Sequence, residues 1–491
     1  MHFPEITEPT AAERNPTGKT FFGQPGPLAN LFSVELWERF SFYGMQGILL
    51  IYMYFTVAEG GLGIDETVAA GIVGAYGGMV YVFCIIGGWV ADRLLGSERT
   101  MFISGVLIMC GHIALALVPG IPGLALGLVL VGLGSGGLKA NVANLVGNLY
   151  TRDDPRRDAG FSIFYMGINI GGLIGPLLTG LTAQAWGFHF GFGLAAIGMA
   201  IGLTQYALTR KSLPEHVHHV PSPLPRSQYG KWIAIVAVAL AVIAVAVGTG
   251  LINAANLANV VVVLSAVAAI AIFAVILTSA QTTGEERSRV LAFIPLFIGS
   301  AAFFALFQQQ FTVITIYSDT RLDRMLGGWE MPIPWVQSFN PFFIILLAPV
   351  FALLWTKLGR RQPNTPVKFG VGIALMGAAF LLFLPMVGTS SVPVLWIAFI
   401  MLVATMGELM VSPVGLSLST KLAPAAFPVM MVALYNLSVA LGTALSGALA
   451  GYYTADTEGV YFGVLGAATI AIGVVMLLIS RPVYRAMRGV R

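Results

Sequence analysis

Fourteen stretches of mostly apolar residues, each long enough to cross a bilayer, run through this chain, and no other feature limits its fold so strongly. A helix covers the hydrocarbon core with about 20 apolar residues, and within that core every backbone N–H and C=O must be satisfied inside the protein. The first six stretches cover residues 28–57, 67–91, 100–118, 124–150, 159–183 and 188–207. Two follow at 232–249 and 260–278, and the last six lie at 290–317, 338–355, 367–387, 394–418, 427–452 and 460–479. The runs are continuous and do not alternate, which implies helices and not a barrel. Composition agrees: 57% of residues are hydrophobic and 10% charged, against roughly 25% charged in soluble domains.

Charge placement tests the span map independently. With the N-terminus inside, the cytoplasmic loops and the two tails hold 22 of the 26 basic residues. The outer loops hold only Arg321 and Arg324, while Arg39 and Lys139 lie within spans. That bias is the positive-inside rule, and a wrong span count would scramble it. The net charge of +4 therefore reports topology, and no nucleic-acid partner is expected. The N-terminal segment is polar and Pro-rich and the run behind it has full membrane length, so it does not read as a cleavable signal peptide. Cys84 and Cys110 fall in spans and read as packing residues, not as a disulfide framework. Pro214, Pro221, Pro223 and Pro225 make 211–231 an irregular cytoplasmic connector. His216, His218 and His219 within it read as solvated loop residues in preference to a metal site.

The spans group as six, two and six, and the flanking twelve are numbered first to twelfth with the central pair left out. The central pair, 232–279, is almost wholly Ala, Val, Ile and Leu, whereas the flanking sets are rich in Gly, Pro and polar residues. The expected layout is a cytoplasmic tail 1–27, a six-helix bundle 28–210, the connector, an inserted hairpin 232–279, a second bundle 290–480 and a basic tail 481–491. The expected fold is therefore an all-α membrane protein resembling the major facilitator type, in which paired six-helix halves hold substrate near mid-membrane. Gly88-Trp-Val-Ala-Asp92-Arg93-Leu-Leu-Gly96, at the cytoplasmic end of the second span, resembles the signature of the major facilitator superfamily. Gly88 is expected there to allow close helix contact, with Asp92 and Arg93 at a helix end.

Ionisable side chains at membrane depth are functional candidates by default. Five lie well inside spans, away from their ends: Glu35, Glu38, Arg39, Lys139 and Glu408. The acids exceed the bases by one, and one unmatched acid is a natural place for a proton. At 100° per residue, positions 35, 38, 39, 42, 43 and 46 share one helix stripe reading Glu, Glu, Arg, Phe, Tyr, Gln. Lipid cannot face such a stripe, and two acids for one base argue against a purely structural ion pair. Lys139 sits in Gly134-Ser-Gly-Gly-Leu-Lys-Ala-Asn141, and Asn169 is likewise flanked by small residues. Glu408 is followed by Pro413, which is expected to kink the tenth span and free backbone carbonyls. Asn340 precedes Pro341 on the eighth span. A lone buried Asn serves as interhelical glue more often than as a ligand. Arg39 and Lys139 thus bring positive charge from the first half and Glu408 negative charge from the second. A zwitterion such as an amino acid or short peptide would bridge them.

Here the residues resemble a known family. Glu35-Leu-Trp-Glu-Arg-Phe-Ser-Phe-Tyr-Gly44 is similar to the ExxERFxYYG signature of proton-dependent oligopeptide transporters. Asp158-Ala-Gly-Phe-Ser-Ile-Phe-Tyr-Met-Gly-Ile-Asn169 resembles the family's fifth-span motif, and Gly407-Glu-Leu-Met-Val-Ser-Pro-Val-Gly-Leu416 its tenth-span motif. The resemblance implies proton-coupled symport of di- and tripeptides by alternating access, in a monomer of the inner membrane with both termini cytoplasmic. It implies Arg39, Lys139 and Tyr43 at the peptide carboxylate, and Glu408, Asn169 and Asn340 at its amino terminus. Tyr81, Phe304 and Tyr435 would line side-chain pockets. Glu35 and Glu38 would couple protons by competing for Arg39 and Lys139, with Asp319 a further candidate. No cofactor beyond the coupling proton is implied.

This chain departs from the family pattern at three places. Phe42-Tyr43 replaces paired tyrosines. Gln46 and Gln308 stand where relatives often carry an arginine on the first span and an acid on the seventh. A Gln–Gln pair can hydrogen-bond but cannot titrate, which shifts proton coupling onto the first-span glutamates. Proton-coupled drug efflux or nitrate uptake on the same fold is the alternative function. Neither a His-Glu-x-x-His nor a Gly-x-Ser-x-Gly motif occurs, so an enzyme is not expected, and His112 reads as a core polar residue.

Overall fold

The computed structural model describes residues 18–151 and 154–489. The tail residues 1–17 with Arg14, and also Arg152 and Arg491, lie outside the described residues, as do the side chains of His216 and Arg360. Helix α1 (Pro27–Tyr54) carries Glu35, Glu38 and Arg39, and its 28 residues rise about 42 Å, enough to span. Among the described residues thirteen further helical segments are long and apolar enough to cross a membrane. They begin with α2 (Glu66–Val90), α3 (Ser97–Leu117), α4 (Gly120–Gly147), α5 (Arg157–Trp186) and α6 (Phe188–Thr209). The hairpin comprises α7 (Tyr229–Gly248) and α8 (Leu257–Thr278). The seventh long span is α9 (Gly284–Phe307) followed by α10 (Val313–Thr320). Then come α11 (Phe339–Leu358), α12 (Thr365–Leu381), α13 (Val394–Lys421), α14 (Pro428–Ala450) and α15 (Glu458–Leu478), with a short terminal α16 (Ser480–Ala486). The architecture is the all-α, fourteen-span arrangement expected.

One detail differs from a plain reading of the spans. The seventh is not one helix: a 3-10 turn, Gln308–Phe311, separates α9 from α10, and Thr312 leaves helical geometry at φ −124°, ψ −103°. The tenth, by contrast, remains one element through Pro413.

The chain packs as two compact units, one of residues up to Met45 with Phe83–Val245, the other of Gln46–Val82 with Ala246–Arg491. In the first, small residues let backbones meet, as membrane helices require where no hydrophobic force drives them together. A Cβ at Gly134 of α4 would stand 2.6 Å from the Ser104 carbonyl of α3. Gly171 and Gly175 of α5 bring α1 close, and Thr179 Oγ1 donates to the Gly44 carbonyl at 2.8 Å. At the end of α2 the close contact is Gly87 against Gly137, whereas a Cβ at Gly88 would meet nothing within 4 Å. The expectation for Gly88 is therefore corrected: the crossing falls one residue earlier, because adjacent helix positions point 100° apart.

The second unit repeats the device, with Gly377 of α12 against the Gly466 carbonyl of α15 at 2.6 Å for a Cβ. Ala258 and Val261 of α8 bury themselves against Ala75 and Ala444, and Phe273 meets the Phe297 ring edge-on at 5.7 Å. Helix α7 is different: it has no buried residue. In the loops that follow α10 and α12, strands Leu322–Asp323 and Val392–Pro393 pair in parallel. Arg321 clips them, donating to the Thr389 and Met386 carbonyls and pairing with Glu458 Oε2 at 3.1 Å.

Candidate functional site

The charged stripe on α1 is buried as a group: Glu35 is 2% exposed, Glu38 0% and Arg39 4%. Helical spacing sets the pairing. Glu35, one turn before Arg39, places Oε1 3.0 Å from Arg39 Nε, and Glu38 Oε2 meets the same nitrogen. Glutamate toward the N-terminus is the favourable order for an i, i+4 pair. Ser135 of α4 donates to Glu38 Oε1 at 3.2 Å. Lys139, half-buried one turn further along α4, lies within electrostatic range of both glutamates. The Arg39 guanidinium stands 5.3 Å from the Phe42 ring centre and 5.8 Å from that of Tyr43, a cation–π arrangement that favours a planar cation. Asn169, 5% exposed, donates to the Tyr165 carbonyl of its own helix at 2.9 Å.

The second unit holds a separate polar group. Asn340, in the first turn of α11, donates from Nδ2 to Glu408 Oε2 at 2.7 Å and to Thr405 Oγ1 at 3.1 Å. The two acceptors are three residues apart on α13 and so share a face. Tyr435 of α14 donates to the Ser412 carbonyl at 3.1 Å, the residue before Pro413, and Gly415 leaves space for its ring. Phe304 packs between Phe303 and Phe307, at 5.4 and 6.1 Å between centroids, and Gly442 leaves room for its Cβ. Tyr81 is half-buried on α2.

The two glutamines have different surroundings. Gln308 donates to Thr443 Oγ1 at 3.1 Å, while Gln46 Oε1 finds no hydrogen-bond partner among the described residues. The neighbouring Gln309 accepts from the Tyr461 hydroxyl at 2.7 Å. Asp319, at the far end of α10, accepts from the Tyr54 hydroxyl at 2.7 Å and lies 3.6 Å from Arg324. Ser135 and Thr405 are polar neighbours that the sequence reading passed over. Each lies within one helical turn of a charge on its own helix, and that spacing is the signal that could have flagged them. Among the described residues no three His, Cys, Asp or Glu side chains gather as a metal site.

Chemically, the α1 group is a guanidinium shared by two carboxylates. A carboxylate ligand must compete with them for Arg39, and protonating either glutamate weakens its hold. The Glu408 group is complementary: a carboxylate steadied by an amide and open to a cationic partner.

A family profile described as "POT family" matches residues 98–469. The chain is 45% identical to "Uncharacterized transporter YclF" of Bacillus subtilis, covering 96% of this chain and 97% of that one. It is 42% identical to the "Di-/tripeptide transporter" of Lactococcus lactis subsp. cremoris, covering 97% and 99%. A crystal structure of "peptide transporter POT in complex with sulfate" superposes with a TM-score of 0.93 at 43% identity, covering 98% of this chain and 100% of that one.

Proposed function

The chain belongs to the POT family, and from that premise we propose that it carries di- and tripeptides across the inner membrane by alternating access, drawing protons with them. The di-/tripeptide transporters of Lactococcus lactis among its relatives supply the substrate class. The observation that carries the reading is the buried Arg39 held by Glu35 and Glu38.

The coupling follows from competition. While both glutamates are ionised they occupy Arg39 and attract Lys139, and a peptide carboxylate must displace them. A proton entering from outside neutralises one glutamate and weakens its hold on the cations. The Arg39 fork and Lys139 then receive the peptide carboxylate, with Tyr43 alongside, and an Arg fork matches a carboxylate's two oxygens. Glu408, held by Asn340, takes the ammonium end together with Asn169. Tyr81, Phe304 and Tyr435 line side-chain pockets that accept varied residues, because recognition rests on the peptide's termini. With Gln46 and Gln308 neutral, coupling falls on Glu35 and Glu38, and Asp319 assists. The transporter works as a monomer with both termini in the cytoplasm.

Uptake of labelled di-alanine into liposomes tests this. An inward proton gradient should drive accumulation, and unlabelled di-alanine should exchange without any gradient. Absence of both removes the peptide reading and leaves another solute on the same fold.

A further inference from the structure

Glu98 belongs to neither polar group above. It opens α3, is 0% exposed, and a carboxylate so buried is costly unless ion-paired and hydrogen-bonded. Its partners come from two other elements. From α6, the Tyr206 hydroxyl donates to Oε1 at 2.9 Å, and Arg210, the residue that follows the helix, pairs with Oε2 at 2.7 Å. From the connector, His218 Nδ1 lies 3.2 Å from the same Oε2. This overturns the reading of His218 as a solvated loop residue: its imidazole faces a buried acid.

Around that carboxylate the connector is docked. Leu213, Val217 and Leu224 are buried. The Ser222 and Leu224 amides donate to the Asp92 and Arg93 carbonyls at 3.0 and 2.9 Å. Gly96, at φ +81°, faces the His219 carbonyl, which would stand 3.0 Å from any Cβ there. Immediately afterwards comes α7, which buries nothing of its own; its Trp232 ring sits 4.6 Å from Trp89 of α2.

We propose that Glu98 is a docking residue, holding residues 213–224, and the first helix of the inserted hairpin behind them, on the ends of α2 and α3. The connector is then an anchor that fixes a helix unable to fix itself by packing.

Hydrogen exchange in lipid nanodiscs tests it with Glu98→Gln, His218→Ala and the double variant. Glu98→Gln keeps an acceptor for Tyr206 but loses the charge, and His218→Ala touches only the half-exposed connector side. Each single variant should speed exchange at Ser222 and Leu224 by about tenfold, with α3 and α6 unchanged in His218→Ala. The double variant should be no faster than the faster single one, because both cut the same contact. Unchanged connector exchange in His218→Ala overturns the proposal. So does Glu98→Gln loosening α3 and α6 as much as the connector, since Glu98 would then be only a staple between those helices.

Discussion

Arg39 concentrates the chemistry of the first unit in one side chain. If it reads the peptide carboxylate as a planar fork, Arg39→Lys keeps the charge and loses the second hydrogen bond. A charge-assisted bond contributes about 1.5–3 kcal/mol, so di-alanine uptake should fall roughly ten- to a hundredfold in kcat/KM, while the protein still folds. Uptake within twofold of wild type would remove the fork from the mechanism. The two glutamates separate coupling from binding. Glutamine imitates a protonated glutamate permanently, so Glu35→Gln and Glu38→Gln should exchange peptide at equilibrium yet lose gradient-driven accumulation. Full pH-driven uptake in both would refute first-span coupling. The α1 group was legible in the sequence because its members lie within one turn, where helix geometry alone decides contact. The partners of Glu98 were not: Tyr206, Arg210 and His218 are 108 to 120 positions away, and no periodicity encodes that meeting.

At the level of helices, span length could be read because the bilayer imposes it, but the contact register between helices could not. Gly88 and Gly171 make the point in opposite ways. A Cβ at Gly171 would run into the Leu36 carbonyl and stand 2.9 Å from Arg39 Cβ, while one at Gly88 meets nothing. Gly171→Ala should therefore destabilise by about 1–3 kcal/mol through overpacking and weaken peptide binding by shifting Arg39. Gly88→Ala should be neutral or stabilise by up to about 1 kcal/mol through helix propensity. Thermal unfolding midpoints in nanodiscs, with di-alanine binding beside them, check the pair; equal losses would mean that the α1–α5 contact does not position Arg39. The seventh span shows the other limit. Its apolar run is continuous enough to look like one helix, yet buried Gln308, Gln309 and Gln310 sit at a break. Thr443 and Tyr461 satisfy two of these side chains from other helices, as a broken span buried in protein requires.

Across the whole molecule, orientation rests on a charge count, and its two exceptions are both ion-paired. Arg321 and Arg324, the bases that this count places outside, are each tied to acids: Arg321 to Glu458, Arg324 to Glu330 at 2.7 Å and to Asp319. If the N-terminus is inside, residue 227 of the connector faces the cytoplasm and residue 456, after α14, faces outside. Both positions are exposed, and both free cysteines, Cys84 and Cys110, can be replaced by alanine to give a silent background. A membrane-impermeant maleimide applied to intact cells should label Asp456→Cys at once and Ser227→Cys only after permeabilisation. The reverse pattern would invert every span, placing Asp319 and Tyr54 toward the cytoplasm and leaving the proton entry assigned to Glu35 and Glu38 facing the wrong way.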